Sequence, residues 1–170
     1  MSRLANALDL CAARGFSLAV AESCTGGLLA SRISAIPGAS RVFRGGWVIY
    51  QVALKERFLS EEAGFIRQVG TVSSDLTARL ARQALREAAA DLALAVTCSA
   101  GPGAEAGSVV GEGYIALARS TETNSDGPEV YQRRVQAAGD REAVRERMVS
   151  EAVDLLDRIV CRGQLLDSTL

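Results

Sequence analysis

One stretch decides the fold of this chain: Leu18-Ala-Val-Ala-Glu-Ser-Cys-Thr-Gly-Gly-Leu-Leu-Ala30. Its apolar start predicts a short buried strand, which passes directly into a helix. Ser23 and Thr25 are residue types that cap helices, and Gly26 and Gly27 leave the backbone uncovered. A helix that begins there points free N–H groups and its positive dipole end at an anion. We therefore expect a site at this junction, where the amides of Thr25, Gly26 and Gly27 could hold an oxyanion or a phosphate.

Helix-like and strand-like segments alternate on both sides of this stretch, as they do in α/β proteins. Helices are predicted over Leu4 to Cys11, Thr25 to Ser34, Ala53 to Leu59, Asp75 to Ala89, and Asp140 to Val160. Asp75 is the predicted N-cap of its helix, and the stretch from Leu59 through Gly70 is expected to be irregular. Strands are predicted over Phe16 to Ala21, Trp47 to Tyr50, Asp91 to Thr97, Gly113 to Ala118, and Glu129 to Val135, with a polar loop over Ser120 to Pro128 between the last two. We expect the last two strands to pair antiparallel. The sequence therefore predicts a three-layer α/β/α fold with a mixed, mostly parallel central sheet.

Length and composition indicate the class of protein. The 170 residues, 48% of them hydrophobic, suit one domain with its own core, which we place over residues 1–162, with a loose tail over residues 163–170. No apolar run approaches the roughly 20 residues of a membrane span, and the amino terminus lacks a signal pattern, so we expect a cytoplasmic protein without a membrane partner. With a net charge of -1 and 5% aromatic residues, the sequence shows neither the excess of basic residues nor the stacking side chains that nucleic-acid binding uses.

The chain contains no histidine, which excludes Ser-His-Asp, Cys-His and His-ligated metal sites. Lys55 is the only lysine, and arginine cannot act as a general base. If Tyr50 and Lys55 turn back over the sheet edge, Lys55 could take the proton of Ser23 while Tyr50 relays or orients it. The plainer interpretations are a surface lysine, an ordinary strand tyrosine and a serine that only caps a helix.

Other candidate residues also have two interpretations. Gly101, in a Gly-Pro-Gly loop, could let a ligand approach the backbone, or could simply form a turn. Arg141 and Arg145 lie one helical turn apart and could grip a phosphate, although a solvated charged face has the same pattern. Glu22 is the carboxylate nearest the junction, and its role is open between structure and function.

The cysteines give no sign of a disulfide or metal framework. All four are widely separated, and no C-x-x-C pair occurs: Cys11, Cys24, Cys98 and Cys161. In a cytoplasmic chain we expect them to be reduced, mostly buried thiols.

A series of motifs together carries a family resemblance that no single motif carries. In order they are Ala21-Glu-Ser-Cys-Thr-Gly-Gly27, Pro37-Gly-Ala-Ser40, Phe43-Arg-Gly-Gly46, Tyr50, Lys55, Gly70-Thr-Val-Ser73, Ala100-Gly-Pro102 and Gly139-Asp-Arg-Glu-Ala-Val-Arg145. Over nearly its whole length the chain resembles the CinA C-terminal domain family.

The resemblance implies an α/β/α fold and an amidohydrolase that converts nicotinamide mononucleotide to nicotinate mononucleotide and ammonia. It implies that Ser23 is the nucleophile, Lys55 the base and Tyr50 its partner, with no metal or redox cofactor. Lys55 would need a pKa depressed by burial or by nearby cations. The implied partners are a small-molecule nucleotide and further copies of the chain. Trp47 or the apolar side of the last helix could serve as the interface between copies.

Four departures from the family pattern leave alternatives open. They fall at Val52, Ser74, Cys98 and Ser108–Val109, where the family usually has Asn, an acidic residue, Gly and Lys-Pro. A catalytically weak or inactive protein that binds a nucleotide or regulates, or a hydrolase of another small amide, is the alternative to the nicotinamide mononucleotide enzyme.

Overall fold

The computed structural model describes residues 2–60, 64–104, 107–121 and 127–167. Its helices are α1 (Arg3–Ala13), α2 (Leu28–Ser34), α3 (Val52–Leu59), α4 (Phe65–Val69), α5 (Ser74–Glu87) and α6 (Arg141–Asp167). Its strands are β1 (Leu18–Glu22), β2 (Phe43–Val48), β3 (Leu92–Cys98), β4 (Glu112–Arg119) and β5 (Glu129–Gln136). A short 3-10 helix, Ala39–Arg41, precedes β2.

The strands form one mixed sheet in the order β2-β1-β3-β4-β5. β1 pairs parallel with both β2 and β3, while β4 pairs antiparallel with β3 and with β5. β1 and β3 are buried along their whole length, because helices cover both faces of the sheet there.

Each face of the sheet has its own apolar core. On one face Leu94, Val96 and Ile115 pack with residues of α1, α2 and α6. On the other, small residues such as Ala93 and Ala95 pack with α5, α4 and the apolar side of α3. The predicted three-layer α/β/α fold with a mixed sheet is confirmed.

Several predicted element boundaries are wrong. α2 begins at Leu28, since residues 24–27 form a turn, and β2 ends at Val48, which leaves Tyr50 beyond the strand. The N-cap of α5 is Ser73, whose Oγ accepts from the Leu76 amide at 3.3 Å, and not Asp75. Sequence reasoning also missed α4, in a stretch expected to be irregular.

The carboxyl-terminal helix is longer than expected. Its first turn is capped by Asp140, whose Oδ1 accepts from the Ala143 amide at 2.9 Å. Residues 163–167, expected to be a loose tail, continue α6, and residues 168–170 lie outside the described residues, as does the middle of the predicted loop before β5. Within the described ranges, no helix combines the length and apolar character that crossing a bilayer requires.

The sheet order places three strand exits together. β2, which follows β1 in the chain, lies on one side of β1, and β3 lies on the other side. The strand order therefore reverses at β1. Open α/β sheets bind ligands outside the carboxyl ends of the strands at such a point. The residues that follow β1, β2 and β3 include Ser23, Tyr50 and Ser99, at one edge of the sheet.

Candidate active site

Ser23 is held by the backbone at the exit of β1. Its amide donates to the Val96 carbonyl at 3.1 Å, which extends the pairing with β3, and its own carbonyl accepts from the Gly26 amide at 3.1 Å. Gly27 has φ 96°, a left-handed conformation that favours glycine, and the chain then enters α2. A tight turn therefore fixes Ser23 between a central strand and a helix.

Glu22 is the anion that meets the start of α2. It is 1% exposed, and its carboxylate accepts from the amides of Gly27, Leu29 and Ala30 at 3.1, 3.0 and 2.8 Å. A carboxylate suits this place because it satisfies unpaired N–H groups at the positive end of the helix dipole. Glu22 is thus structural, and the amides of Gly26 and Gly27 are already used within the chain.

Two amides of the turn are still available. The backbone N–H groups of Cys24 and Thr25 donate no hydrogen bond to any of the described residues. The amide that follows a nucleophile is a common oxyanion donor, which makes the Cys24 amide the better placed of the two.

A cavity of about 250 Å³ lies at this edge of the sheet. It brings together Ser23, Tyr50, Lys55, Gly101 and Arg141, which the sequence proposed as site residues. The remaining lining residues are Cys24, Gln51, Val52, Thr71, Val72, Cys98, Ala100 and Gly103. Sequence reasoning missed Gln51, and it used Thr71 and Val72 only as part of a family motif.

Lys55 is not a surface lysine. It is 3% exposed, in the first half of α3, and its Nζ donates to the backbone carbonyl of Tyr50 at 2.7 Å. Its amine is therefore fixed in the interior of the protein, against the backbone that links β2 to α3.

Arg141 connects Tyr50 to the Gly101 loop. Its Nη2 donates to the Tyr50 hydroxyl at 2.6 Å, and its Nη1 donates to the Gly101 carbonyl at 2.6 Å. A guanidinium has no lone pair to offer, so the Tyr50 oxygen must be the acceptor. The phenolic proton of Tyr50 is then free to be donated to another group.

The other proposed binding residues lie outside the cavity lining. Arg145 donates to the Thr25 carbonyl at 2.9 Å and pairs with Glu142 at 2.7 Å. The hydroxyl of Thr25 is buried and has no partner among the described residues. Arg145 thus ties α6 to the turn after β1, and only Arg141 of the two arginines reaches the cavity.

Cys24 and Cys98 form a disulfide, with Cα atoms 5.5 Å apart, so the expectation that all four cysteines are free thiols is wrong. The parallel register pairs Glu22 with Val96, and continuing it by two residues puts Cys24 beside Cys98. Adjacent strands at that register bring two side chains within disulfide reach. Both cysteines line the cavity.

Only part of the departures from the family pattern affects the cavity. Val52 and Cys98 line it, whereas Ser74 and Ser108–Val109 do not. Ser74 instead donates a hydrogen bond to Gln132 on β5, and Val109 is 56% exposed.

Comparison with known proteins gives a consistent result. The model of the CinA C-terminal domain matches residues 2–160. A CinA-like protein of Geobacter sulfurreducens is 41% identical over 159 residues, which are 90% of this chain and 37% of that protein. A CinA-like protein of Acidobacterium capsulatum is 40% identical over 146 residues, 85% of this chain and 34% of that protein. The chain thus spans about a third of the length of these curated relatives.

Solved structures show the same fold. A competence-damaged protein (CinA) superfamily protein from Enterobacter cloacae superposes with a TM-score of 0.83 at 26% identity, covering 92% of this chain and 90% of that one. One from Escherichia coli gives a TM-score of 0.80 at 29% identity, covering 91% and 87%. By the extent of the family match and by identity to its relatives, the chain belongs to the CinA C-terminal domain family.

Proposed function

We propose that the chain is an amidohydrolase that deamidates nicotinamide mononucleotide to nicotinate mononucleotide and ammonia. One observation carries the proposal: the only lysine of the chain is buried in the wall of the cavity that also contains Ser23. A lysine amine and a serine hydroxyl in one cavity form one of the few pairs of base and nucleophile open to a protein without histidine.

In the first half of the reaction, neutral Lys55 takes the proton of Ser23 as Oγ attacks the carboxamide carbon. The Cys24 amide donates to the oxyanion that forms. Collapse of the intermediate breaks the C–N bond, and the proton held by Lys55 passes to the leaving nitrogen, which departs as ammonia. Ser23 is left as an ester of the nicotinoyl group.

In the second half, water replaces ammonia. Lys55, again neutral, removes a proton from a water molecule that attacks the ester, and that proton returns to Ser23 Oγ. The sum is amide plus water giving carboxylic acid plus ammonia, and the enzyme is restored.

Tyr50 and Arg141 complete the site. Because Arg141 supplies the hydrogen bond that the Tyr50 oxygen accepts, the phenol can donate its own proton to a group bound in the cavity. Tyr50 can therefore orient Lys55 or the leaving nitrogen. Among the described lining residues, Arg141 is the cationic side chain besides Lys55, which makes it the candidate partner for a substrate phosphate.

A second candidate is hydrolysis of another small amide. It is favoured by the cavity wall, where Val52 and the Cys24–Cys98 disulfide make the surface more apolar than Asn and Gly would. The substrate assay separates the two candidates.

The test is ammonia release from nicotinamide mononucleotide, with nicotinamide as a second substrate. We expect release by the wild type and its loss in Ser23→Ala, while Ser34→Ala, an exposed serine of α2 outside the cavity, keeps the wild-type rate. Release from nicotinamide alone would favour the second candidate. Equal rates in wild type and Ser23→Ala would contradict the role of Ser23 as nucleophile, and no release from nicotinamide mononucleotide would contradict the proposed reaction.

We also propose that the protein works in the cytoplasm as a homo-oligomer. Support for association comes from the β2 edge of the sheet, where Val48 and Leu54 are 51% and 47% exposed beside Trp47. Light scattering on the purified chain tests this, and a monomer at micromolar concentration would contradict it.

A further inference from the structure

The Cys24–Cys98 disulfide lies next to the proposed nucleophile. Cys24 is the next residue after Ser23, and its amide is the proposed oxyanion donor. Cys98 is the last residue of β3, where the Ser99–Gly103 segment begins to line the cavity. The bond thus joins the turn that follows β1 to the end of the neighbouring strand β3.

The protein interior behind the disulfide is closely packed. A Cβ atom at Gly113 would lie 2.7 Å from the Cβ of Cys98 and 2.7 Å from the sulfur of Met148, so even a methyl group does not fit there. Cys24 and Cys98 are only 6% and 7% exposed, and both residues line the cavity. Two sulfurs in van der Waals contact lie further apart than two bonded sulfurs. After reduction the two thiols therefore need more room, and the open space available to them is the cavity.

We propose that Cys24–Cys98 is a reversible disulfide whose redox state sets the geometry of the Ser23 turn, with the oxidised form as the competent one. Cytoplasmic disulfides that do form are typically transient and serve catalysis or redox sensing. The effect on turnover rests on the proposed function, whereas the redox chemistry and the change in the turn do not.

The chemical step is thiol–disulfide exchange with a small dithiol or with glutathione. A thiolate entering from the cavity attacks one sulfur, which forms a mixed disulfide and releases the other cysteine as a thiolate. A second thiol of the reductant displaces the remaining cysteine. The protein gains two electrons and two protons, and the reductant leaves as a disulfide. A disulfide oxidant such as oxidised glutathione reverses each step.

Reduction should loosen the site in two ways. It removes the covalent link between the turn after β1 and the end of β3, so that the Cys24 amide is held only by the turn. It also brings two thiols into the space beside Ser23. Both changes disturb an arrangement that has to be held closely for catalysis.

The first experiment counts reactive thiols in the folded protein. The protein is equilibrated with oxidised glutathione or with dithiothreitol, then alkylated with iodoacetamide and analysed by peptide mass spectrometry. We expect Cys24 and Cys98 to be labelled only after dithiothreitol. Cys11 is an internal reference that stays unlabelled in both, because burial raises the pKa of its thiol to about 11. Labelling before reduction, or none after it, would overturn the redox assignment.

The second experiment measures the turn itself by amide hydrogen exchange. We expect faster exchange in peptides covering residues 22–30 after reduction, with β4 and β5 unchanged. Cys98→Ala should behave as the reduced protein with or without dithiothreitol, and Cys24→Ala serves if that variant does not fold. Cys11→Ala, which removes a buried cysteine outside the pair, should respond to dithiothreitol as the wild type does. Equal exchange in the two redox states would overturn the link to the turn.

The third experiment compares ammonia release in the two states. We expect the rate to fall roughly tenfold on reduction, because small displacements of reacting groups have large effects on rate. A rate that is the same in both states would overturn control of turnover. No release in either state would contradict the proposed function, and the thiol and exchange results would still decide the redox inference.

Discussion

Glu22 shows how one residue determines what the junction after β1 can bind. Its carboxylate already occupies the helix end that the sequence offered to an external anion. In Glu22→Gln one oxygen becomes an amide nitrogen, which cannot accept from the α2 amides. We expect the free energy of unfolding to fall by about 2 kcal/mol, as for a buried hydrogen-bonded charge. Urea denaturation measures it.

The matched control for Glu22 is Glu142→Gln, a change of the same kind in an exposed side chain paired with Arg145. Exposed pairs contribute little, so we expect a change of less than about 1 kcal/mol. Equal losses in the two variants would contradict the capping role of Glu22.

Arg141 and Arg145 differ in role although the sequence treats them alike. Arg141→Lys removes the forked contact to Tyr50 and Gly101, so we expect slower ammonia release at saturating substrate. Arg145→Lys changes a contact outside the cavity lining, so we expect an unchanged rate. The pair of kcat values is the measurement, and a larger loss in Arg145→Lys would contradict this assignment.

At the scale of elements, the start of α5 distinguishes two candidate caps. Ser73→Ala removes the hydroxyl that accepts from Leu76, and we expect a loss of about 1 kcal/mol in the free energy of unfolding. Asp75→Asn removes only an exposed pair with Arg79, worth less than about 0.5 kcal/mol. Urea denaturation of both variants tests this, and a larger loss at Asp75 would restore the cap that the sequence predicted.

Elements with a clear apolar period were predictable, and those that depend on neighbours were not. The buried runs of β1 and β3 and the long amphipathic helices follow from local pattern. β2 was misplaced because Gly45 and Gly46 are unusual in strands. A side chain at Gly46 would overlap Val20 on β1. This explains why glycine occurs at that position of the strand, and it becomes visible only when β1 and β2 are paired.

At the scale of the whole molecule, the sequence predicted the three layers and the edge that bears the site. It brought Ser23, Tyr50 and Lys55 forward because the chain lacks histidine and has one lysine. It missed the disulfide, because that pairing requires knowing that β1 and β3 are neighbours although β2 lies between them in sequence. Strand order is a property of the packed sheet, and local pattern does not contain it.

Cys11 makes the stability of the whole molecule depend on alkaline pH. Burial raises its pKa from 9.0 to about 11, so between those values the unfolded chain loses a proton that the folded chain keeps. The contribution of the protonated Cys11 thiol to the free energy of unfolding is complete below pH 9. It is lost as the pH rises toward 11, by up to about 1.4 kcal/mol per pH unit.

Urea denaturation of wild type and Cys11→Ala from pH 8 to pH 11 isolates this contribution. Tyr114 and Tyr131, whose pKa values are also raised by burial, add the same slope to both proteins. We expect the wild type to lose stability more steeply, and parallel curves would contradict a buried thiol at Cys11.

The Cys24–Cys98 bond has a consequence for the unfolded chain as well. It closes a loop with a sequence separation of 74, whose described residues include the strands β2 and β3 and the helices α2 to α5. In the chain-entropy model such a closure disfavours the unfolded ensemble by about 4 kcal/mol. Oxidised molecules should therefore open globally far less often than reduced ones. Where proteases act on opened molecules, the same bond would set how long each copy of the protein survives.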